Sequence, residues 1–158
     1  MLSDEDWMRQ CLDLAEEAEA LGEVPVAALV VVDGQVVGRG YNRNIVDHDP
    51  SAHAEIVAMR AAGRALGNHR LVGATLYCTL EPCIMCAGAL VHARLQRLVY
   101  AADDPKTGAV GSVFDVLADP RHNHRVAVQR GVLGAEAGER LRRFFKRKRM
   151  LEKEHRNG

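Results

Sequence analysis

The segments SAHAEI at residues 51–56 and TLEPCIMCAG at residues 79–88 hold the side chains around which this chain is organised. They supply one imidazole (His53), two thiols three positions apart (Cys83 and Cys86) and one carboxylate (Glu55). Thiolate and neutral imidazole are ligands that zinc prefers, and three protein ligands leave the fourth tetrahedral position open, as in catalytic zinc sites. We therefore predict that these three residues bind one zinc ion and that Glu55 transfers protons beside it.

Both segments are predicted to begin helices. The first follows Asp49-Pro50-Ser51 and is continued by apolar residues at helical spacing, which places His53 and Glu55 near a first turn. Pro82 suits the first turn of the second helix, where its missing N–H would have no partner. The two cysteines lie one turn apart, so both thiols face the same way, and the partial positive charge of a helix N-terminus favours thiolate.

Two other interpretations of the cysteine pair are a structural metal site and a redox pair, since Cys-x-x-Cys alone is compatible with both. The neighbouring His-Ala-Glu segment and the proline before Cys83 favour a catalytic metal site. Histidines 48, 69 and 92 are rival ligands by residue type. None of them has a carboxylate two positions away as His53 does, so we expect them to be ordinary surface or core residues.

Strand and helix patterns alternate along the chain, which predicts a single α/β domain over residues 1–158. The sheet should be mixed, with two antiparallel strands first and parallel strands later, and helices should cover both faces. A site at the strand ends fits the general rule for such sheets. Strands are predicted at about 24–32, 35–41, 74–80, 96–101 and 125–129, a short helix at 113–117, a terminal helix at about 135–150, and a disordered tail at 151–158.

The net charge is zero, but the charges are unevenly distributed. Residues 1–23 contain eight acidic residues and one basic residue, whereas residues 140–158 contain nine basic and two acidic residues. A basic segment of this kind attracts phosphates whatever the overall sum. The alternative interpretation is a solvated helix face that serves solubility.

The four cysteines do not indicate disulfides. Two of them belong to the Cys-x-x-Cys pair, and Cys11 and Cys78 lie in apolar patterns that predict buried residues. The N-terminal stretch Ser3–Asp6 is acidic, unlike a secretory signal, and no segment is apolar for long enough to cross a membrane. We therefore expect a reduced cytoplasmic protein that has no membrane partner.

His-Ala-Glu followed by Pro-Cys-x-x-Cys resembles the signature of the zinc-dependent nucleoside and nucleobase deaminases. The resemblance is greatest to the bacterial tRNA adenosine deaminase family and extends from Trp7 to about Arg149. It rests on Asn42, His48–Glu55, Thr79–Gly88, Asp104–Gly108, Gly111-Ser112, Asn123–Val126 and Phe144-Phe145. It implies a three-layer α/β/α cytidine-deaminase-like fold with about five strands and a homodimer with one zinc ion per subunit.

The resemblance also implies hydrolysis of adenosine to inosine at the wobble position of a tRNA anticodon, most closely an arginine tRNA. The implied substrate contacts in the anticodon stem-loop come from Asn42, Ala54, Asp103, Asp104, Lys106 and Phe145. Other functions stay open, namely a deaminase of free cytosine, cytidine or guanine, and a zinc-stabilised RNA-binding module without catalysis. Purely structural roles are the alternatives for these residues: a turn for Asn42, loop capping for the aspartates, and core packing for Phe144 and Phe145.

Overall fold

A computed structural model of the protein describes residues 1–157, and these form four helices and five strands. Within these residues, none of the helices combines the length and the apolar character that a membrane span requires. The elements in chain order are α1 (Asp4–Ala20), β1 (Ala27–Val32), β2 (Gln35–Tyr41), α2 (Ala54–Leu66), β3 (Thr75–Leu80), α3 (Ile84–His92), β4 (Arg97–Ala102), β5 (Ala127–Gln129) and α4 (Gly134–Asn157).

The five strands form one mixed sheet in the order β2-β1-β3-β4-β5. Strand β1 pairs antiparallel with both β2 and β3, whereas β3–β4 and β4–β5 are parallel. The turn at Asp33-Gly34 joins the first two strands, and both of its residues have positive φ, as tight hairpin turns require. The predicted mixed α/β sheet is thus confirmed.

Alternating strand residues divide the core between the two faces of the sheet. In β1, Ala28 and Val30 pack with residues of α2 and α3, while Leu29 and Val31 pack with residues of α1 and α4. This alternation follows from the two-residue period of a strand. Because helices cover both faces, the architecture has the three predicted layers.

Strands β1 and β5 begin at Ala27 and Ala127, later than predicted, and three further differences concern helices. Residues 113–117 form an irregular segment rather than a short helix, and Asp115 within it makes an isolated bridge to Val110. The terminal helix continues to Asn157, so residues 151–157 are helical rather than disordered; the last predicted tail residue, Gly158, lies outside the described residues. Helix-forming residues such as Leu151, Glu152 and Lys153 explain the extension. Pro82 precedes the N-cap of α3 instead of occupying its first turn.

Two glycines of β2 allow α2 to approach the sheet closely. A Cβ atom added at Gly40 would lie 2.5 Å from the carbonyl oxygen of Ala54. A Cβ atom added at Gly38 would overlap the carbonyl oxygen of Ala58. Gly88, inside helix α3, has no such neighbour, because a Cβ atom added there meets no described atom within 4 Å. The contact at Gly40 matters because Ala54 follows His53 directly.

We expect Gly40→Ala to destabilise the fold, because the added methyl group collides with backbone atoms of α2 that cannot rotate away. Overpacking of this kind lowers the free energy of unfolding by about 1–3 kcal/mol. The matched control is Gly88→Ala, in open space within a helix, which should raise it by about 0.5–1 kcal/mol. Urea denaturation of both variants checks the prediction, and an unchanged midpoint for Gly40→Ala would contradict it.

Candidate active site

Three chain segments leave the sheet at the same edge and form the site. Strand β3 ends at Leu80, beside the end of its parallel neighbour β4 at Ala102. Strand β1 begins there because it is antiparallel to β3, and β2 ends beside it, with Ala27 paired to Tyr41. The loops after β2, β3 and β4 therefore converge, as the rule for strand ends predicts.

His53 and Cys83 are the N-cap residues of α2 and α3, and neither side chain caps its own helix. Both have extended backbone conformations, with φ and ψ of −73° and 153° for His53 and −78° and 179° for Cys83. The cap of α2 comes from Asn42, whose amide oxygen accepts from the N–H of Ala54 at 2.9 Å. The imidazole and the thiol are thus available for other contacts.

The imidazole and the two thiols meet at distances that suit a metal ion. His53 Nδ1 lies 3.5 Å from the Sγ atoms of both Cys83 and Cys86. All three ligand atoms lie within 4.8 Å of one another. Zinc–sulfur and zinc–nitrogen bonds of ordinary length at a tetrahedral angle would separate nitrogen from sulfur by about 3.6 Å. The three residues therefore fit one tetrahedral ion with a fourth position free.

The protonation of the two thiols also fits a cation. A hydrogen bond with the Cys86 thiol and the contact with His53 lower the pKa of Cys83, which favours its thiolate form. The same pairing, together with burial, raises the pKa of Cys86. One negative charge thus disfavours a second beside it. A divalent metal ion supplies the positive charge that would let both thiols ionise.

Glu55 is buried beside this cluster, with 4 % of its surface exposed. It occupies the first turn of α2, and its charge interacts with His53 and Cys83. Burial raises the pKa of its carboxyl group above the ordinary range. A carboxyl group with a raised pKa holds a proton more readily than an exposed one, and beside a metal-binding cluster it can both accept and donate a proton, as general acid–base catalysis requires.

The segment 103–112 follows β4 and contains three of the residues that resemblance implies in substrate binding. Asp103 accepts a hydrogen bond from the Tyr100 hydroxyl at 3.1 Å. Asp104 accepts from the N–H of Lys106 and from the N–H and hydroxyl of Thr107, at 2.8–3.1 Å. Asp104 therefore caps its own loop, while the Lys106 side chain is exposed.

The remaining sequence-predicted residues are divided between core and surface. Cys11 and Cys78 are buried, as predicted. Ala54 is fully buried beside the metal-binding cluster. On α4, Phe144 packs into the core with 8 % exposure, whereas Phe145 is 39 % exposed and contacts Phe144 edge to face. Phe145 is the member of this pair that is accessible to a ligand.

Comparison with known proteins agrees with this geometry. The family model described as MafB19-like deaminase matches residues 2–149. With the three-layer fold and the His/Cys cluster, this match defines the chain as a deaminase of the cytidine-deaminase-like class.

Individual relatives narrow the class. A "tRNA-specific adenosine deaminase" of Haemophilus influenzae is 50 % identical over 147 residues, which cover 92 % of this chain and 85 % of the relative. A solved structure from studies of A-to-I editing by tRNA:A34 deaminases is 45 % identical, covers 85 % of this chain and 97 % of its own, and superposes with a TM-score of 0.82. A guanine deaminase of Nitrosomonas europaea is more distant, at 27 % identity over 91 % of this chain and 85 % of its own, with a TM-score of 0.76. The chain belongs to the family of tRNA-specific adenosine deaminases.

Two buried carboxylates near the site were missed by sequence reasoning. Glu23, 1 % exposed, accepts from the N–H groups of Ile45 and Val46 in the loop before α2. Glu81, 2 % exposed, accepts from several groups of the segment 103–112. In the sequence, each of these acids lies next to an apolar strand, which was the available sign that it could be buried. A buried carboxylate needs several hydrogen-bond donors, and nearby loops supply them here.

We expect the chain to bind one metal ion, and Cys83→Ser to lose it, because a serine hydroxyl is a poor substitute for a thiolate ligand. The matched control is Cys11→Ala, which removes a buried thiol outside the cluster. Elemental analysis of the purified variants gives the metal content per chain. Full metal content in Cys83→Ser would show that the ligand assignment is wrong.

Proposed function

We propose that this protein catalyses the hydrolytic deamination of adenosine to inosine at the wobble position of a tRNA anticodon, with release of ammonia. The observation that carries the proposal is the convergence of an imidazole, two thiols and a buried carboxyl group at one sheet edge. It occurs in a chain that matches tRNA-specific adenosine deaminases over nearly its whole length. No other described His/Cys/Asp/Glu cluster in residues 1–157 has comparable geometry.

We propose zinc as the metal, one ion per subunit, held by His53, Cys83 and Cys86. When bound, it would lower the pKa of a coordinated water molecule and so supply a nucleophile at neutral pH. The ligand set of one imidazole and two thiolates favours zinc over magnesium or calcium, which prefer oxygen ligands. The helix N-termini that carry the ligands add partial positive charge that stabilises the thiolates.

Glu55 is the proposed proton carrier. Deamination adds water across the carbon–nitrogen double bond of the amidine, so the attacking water loses a proton while the ring nitrogen gains one. The new hydroxyl group then gives up its proton to the exocyclic amine, the bond between that amine and the carbon breaks, and the products are a carbonyl group and ammonia. A single carboxyl group at the site can make each transfer in turn, and the raised pKa of buried Glu55 suits both directions.

We propose that Asn42 and Ala54 contact the base, and that Asp103, Asp104, Lys106 and Phe145 contact the rest of the RNA. The amide oxygen of Asn42 is engaged by the Ala54 N–H, so its NH₂ group is the part that would donate to a base. Lys106, which is exposed, would meet a phosphate. Asp104 caps its loop through both carboxylate oxygens and so positions Lys106, and the remaining lone pairs of these oxygens would accept from a ribose hydroxyl.

The proposed partners are an arginine tRNA, recognised through its anticodon stem-loop, and a second copy of the chain, in a cytoplasmic setting. A shallow groove between α2 and α3 supports a homodimer because apolar side chains predominate in it. It is lined by Ile56, Met59, Arg60, Gly63, His69, Leu71, Ala89 and Ala93. Of its apolar side chains, Ile56, Ala89 and Ala93 are half-buried, and apolar surface that stays partly accessible commonly marks an association site.

The decisive experiment incubates the metal-loaded protein separately with tRNA, adenosine, cytidine and guanine, and measures ammonia and inosine. Of these four substrates, we expect only tRNA to be deaminated fast. Guanine is included because a guanine deaminase shares the fold. Turnover of a free base or nucleoside at a rate matching that of tRNA would favour the alternative function, and metal-dependent RNA binding without ammonia would favour a binding module.

We expect Glu55→Gln to retain the metal and the fold but to lose turnover, because glutamine cannot exchange protons. Positioned acid–base groups contribute about 10²- to 10⁴-fold to the rate. Single-turnover assays on a tRNA stem-loop measure the loss, and metal analysis confirms an intact site. Wild-type rates in this variant would show that Glu55 has no proton-transfer role.

We expect neutralising Arg143, Lys146, Arg147 and Arg149 to raise the KM for tRNA and to flatten its salt dependence, since fewer counterions are released on binding. Each lost phosphate contact should reduce the slope of log KM against log salt by about one. A control variant neutralises three exposed arginines elsewhere, at positions 39, 64 and 70. Identical slopes in the wild type and the α4 variant would show that the basic face of α4 serves solubility only.

A further inference from the structure

Glu81 is a buried acid that the proposed chemistry leaves unused. Only three acidic side chains among residues 1–157 are buried to this degree, namely Glu23, Glu55 and Glu81. Glu81 lies two residues before Cys83, yet its carboxylate is directed to the segment 103–112. We call this segment the lysine loop, because it contains Lys106.

Each carboxylate oxygen of Glu81 accepts two hydrogen bonds from the lysine loop. One oxygen accepts from the N–H of Asp104 at 3.0 Å and from the hydroxyl of Ser112. The other accepts from the N–H groups of Val110 and Ser112, at 2.9 and 3.2 Å. The start and the end of the loop are therefore fastened to one side chain.

The backbone around Glu81 adds to this attachment. The Glu81 N–H donates to the carbonyl of Ala102 at 2.8 Å, and the carbonyl of Pro82 accepts from Ala109 at 2.8 Å. Gly108 packs directly on the carboxylate, since a Cβ atom there would overlap the Glu81 side chain. No described basic side chain pairs with Glu81, so neutral donors alone compensate its burial.

We propose that Glu81 is a positioning residue that sets the lysine loop at a fixed distance from the metal-binding cluster. The proline that follows it restricts the backbone between the carboxylate and Cys83. RNA bound by the loop would then be held at a fixed position relative to the metal-binding residues. The inference rests on the proposed function, because the lysine loop is taken to contact RNA.

Substitution by glutamine tests the role without changing side-chain shape. The amide keeps one oxygen, which can still accept from Val110 and Ser112, and its NH₂ group can donate to the Ser112 hydroxyl. The N–H of Asp104 then loses its acceptor and faces another donor. Removing a hydrogen bond to a charged group should lower kcat/KM for a tRNA stem-loop by about tenfold. The loss should fall on KM, with kcat and metal content unchanged.

Two further variants keep the test informative if Glu81→Gln folds poorly. Ser112→Ala removes one donor and leaves the carboxylate, so the rise in KM should be smaller and the fold intact. Asp119→Asn is the control, because that carboxylate also organises a surface turn, by accepting from Arg121, but lies outside the lysine loop. Its KM should match the wild type.

Hydrogen exchange gives a readout that does not depend on activity. In Glu81→Gln the amide of Asp104 should exchange faster, while amides of α2 keep their wild-type rates. Unchanged exchange at Asp104 together with an unchanged KM would overturn the inference. So would loss of metal with a parallel loss of kcat, because Glu81 would then support the cysteines rather than the loop. If the wild type itself fails to deaminate tRNA, the proposed function fails, and the exchange data still decide the role of Glu81.

Discussion

The structure depends on two helices whose N-termini meet at one sheet edge. Helix α2 arrives there from β2, and α3 arrives from β3, so residues 30 positions apart in the chain come within 3.5 Å of each other. Two positive helix ends at one point favour negative groups beside them, and the lowered pKa of Cys83 agrees with this. A second thiolate at Cys86 is opposed by the first and by burial, so a bound cation would be needed for both thiols to ionise.

Buried carboxylates with neutral donors position the loops around this centre. Glu23 holds the loop before α2, and Glu81 holds the lysine loop, each through backbone N–H groups. Such bonds fix the backbone without placing a competing cation near the metal-binding residues. An arginine or lysine in this role would raise the local positive charge and change the pKa values of the cysteines and of Glu55. Among residues 1–157, the charged groups near the proposed metal site are therefore limited to the cysteines, His53 and Glu55.

The sequence allowed prediction of the parts in which local signals and chemistry agree. All five predicted strands form, His53 and Glu55 lie at the start of a helix, and the proposed ligands converge. The close approach at Gly40 and the attachments of Glu81 could not be predicted, because both depend on which backbone lies opposite in three dimensions. Residues 151–157 are exposed, so the extension of α4 rests on helix propensity without core contacts, and no apolar pattern in the sequence marks it.

Only some of the charged residues near the N-terminus form ion pairs with charged residues near the C-terminus. Helices α1 and α4 cover the same face of the sheet, and Arg9 pairs with Glu136 while Arg140 pairs with Glu16 at 3.3 Å. These pairs use the beginning of α4. From Arg143 onward, within the described residues, its basic side chains form no ion pairs, although α1 contributes most of the N-terminal acids. The folded protein is therefore neutral in sum but presents an uncompensated basic helix, and this is the distribution that a phosphate-bearing partner would require.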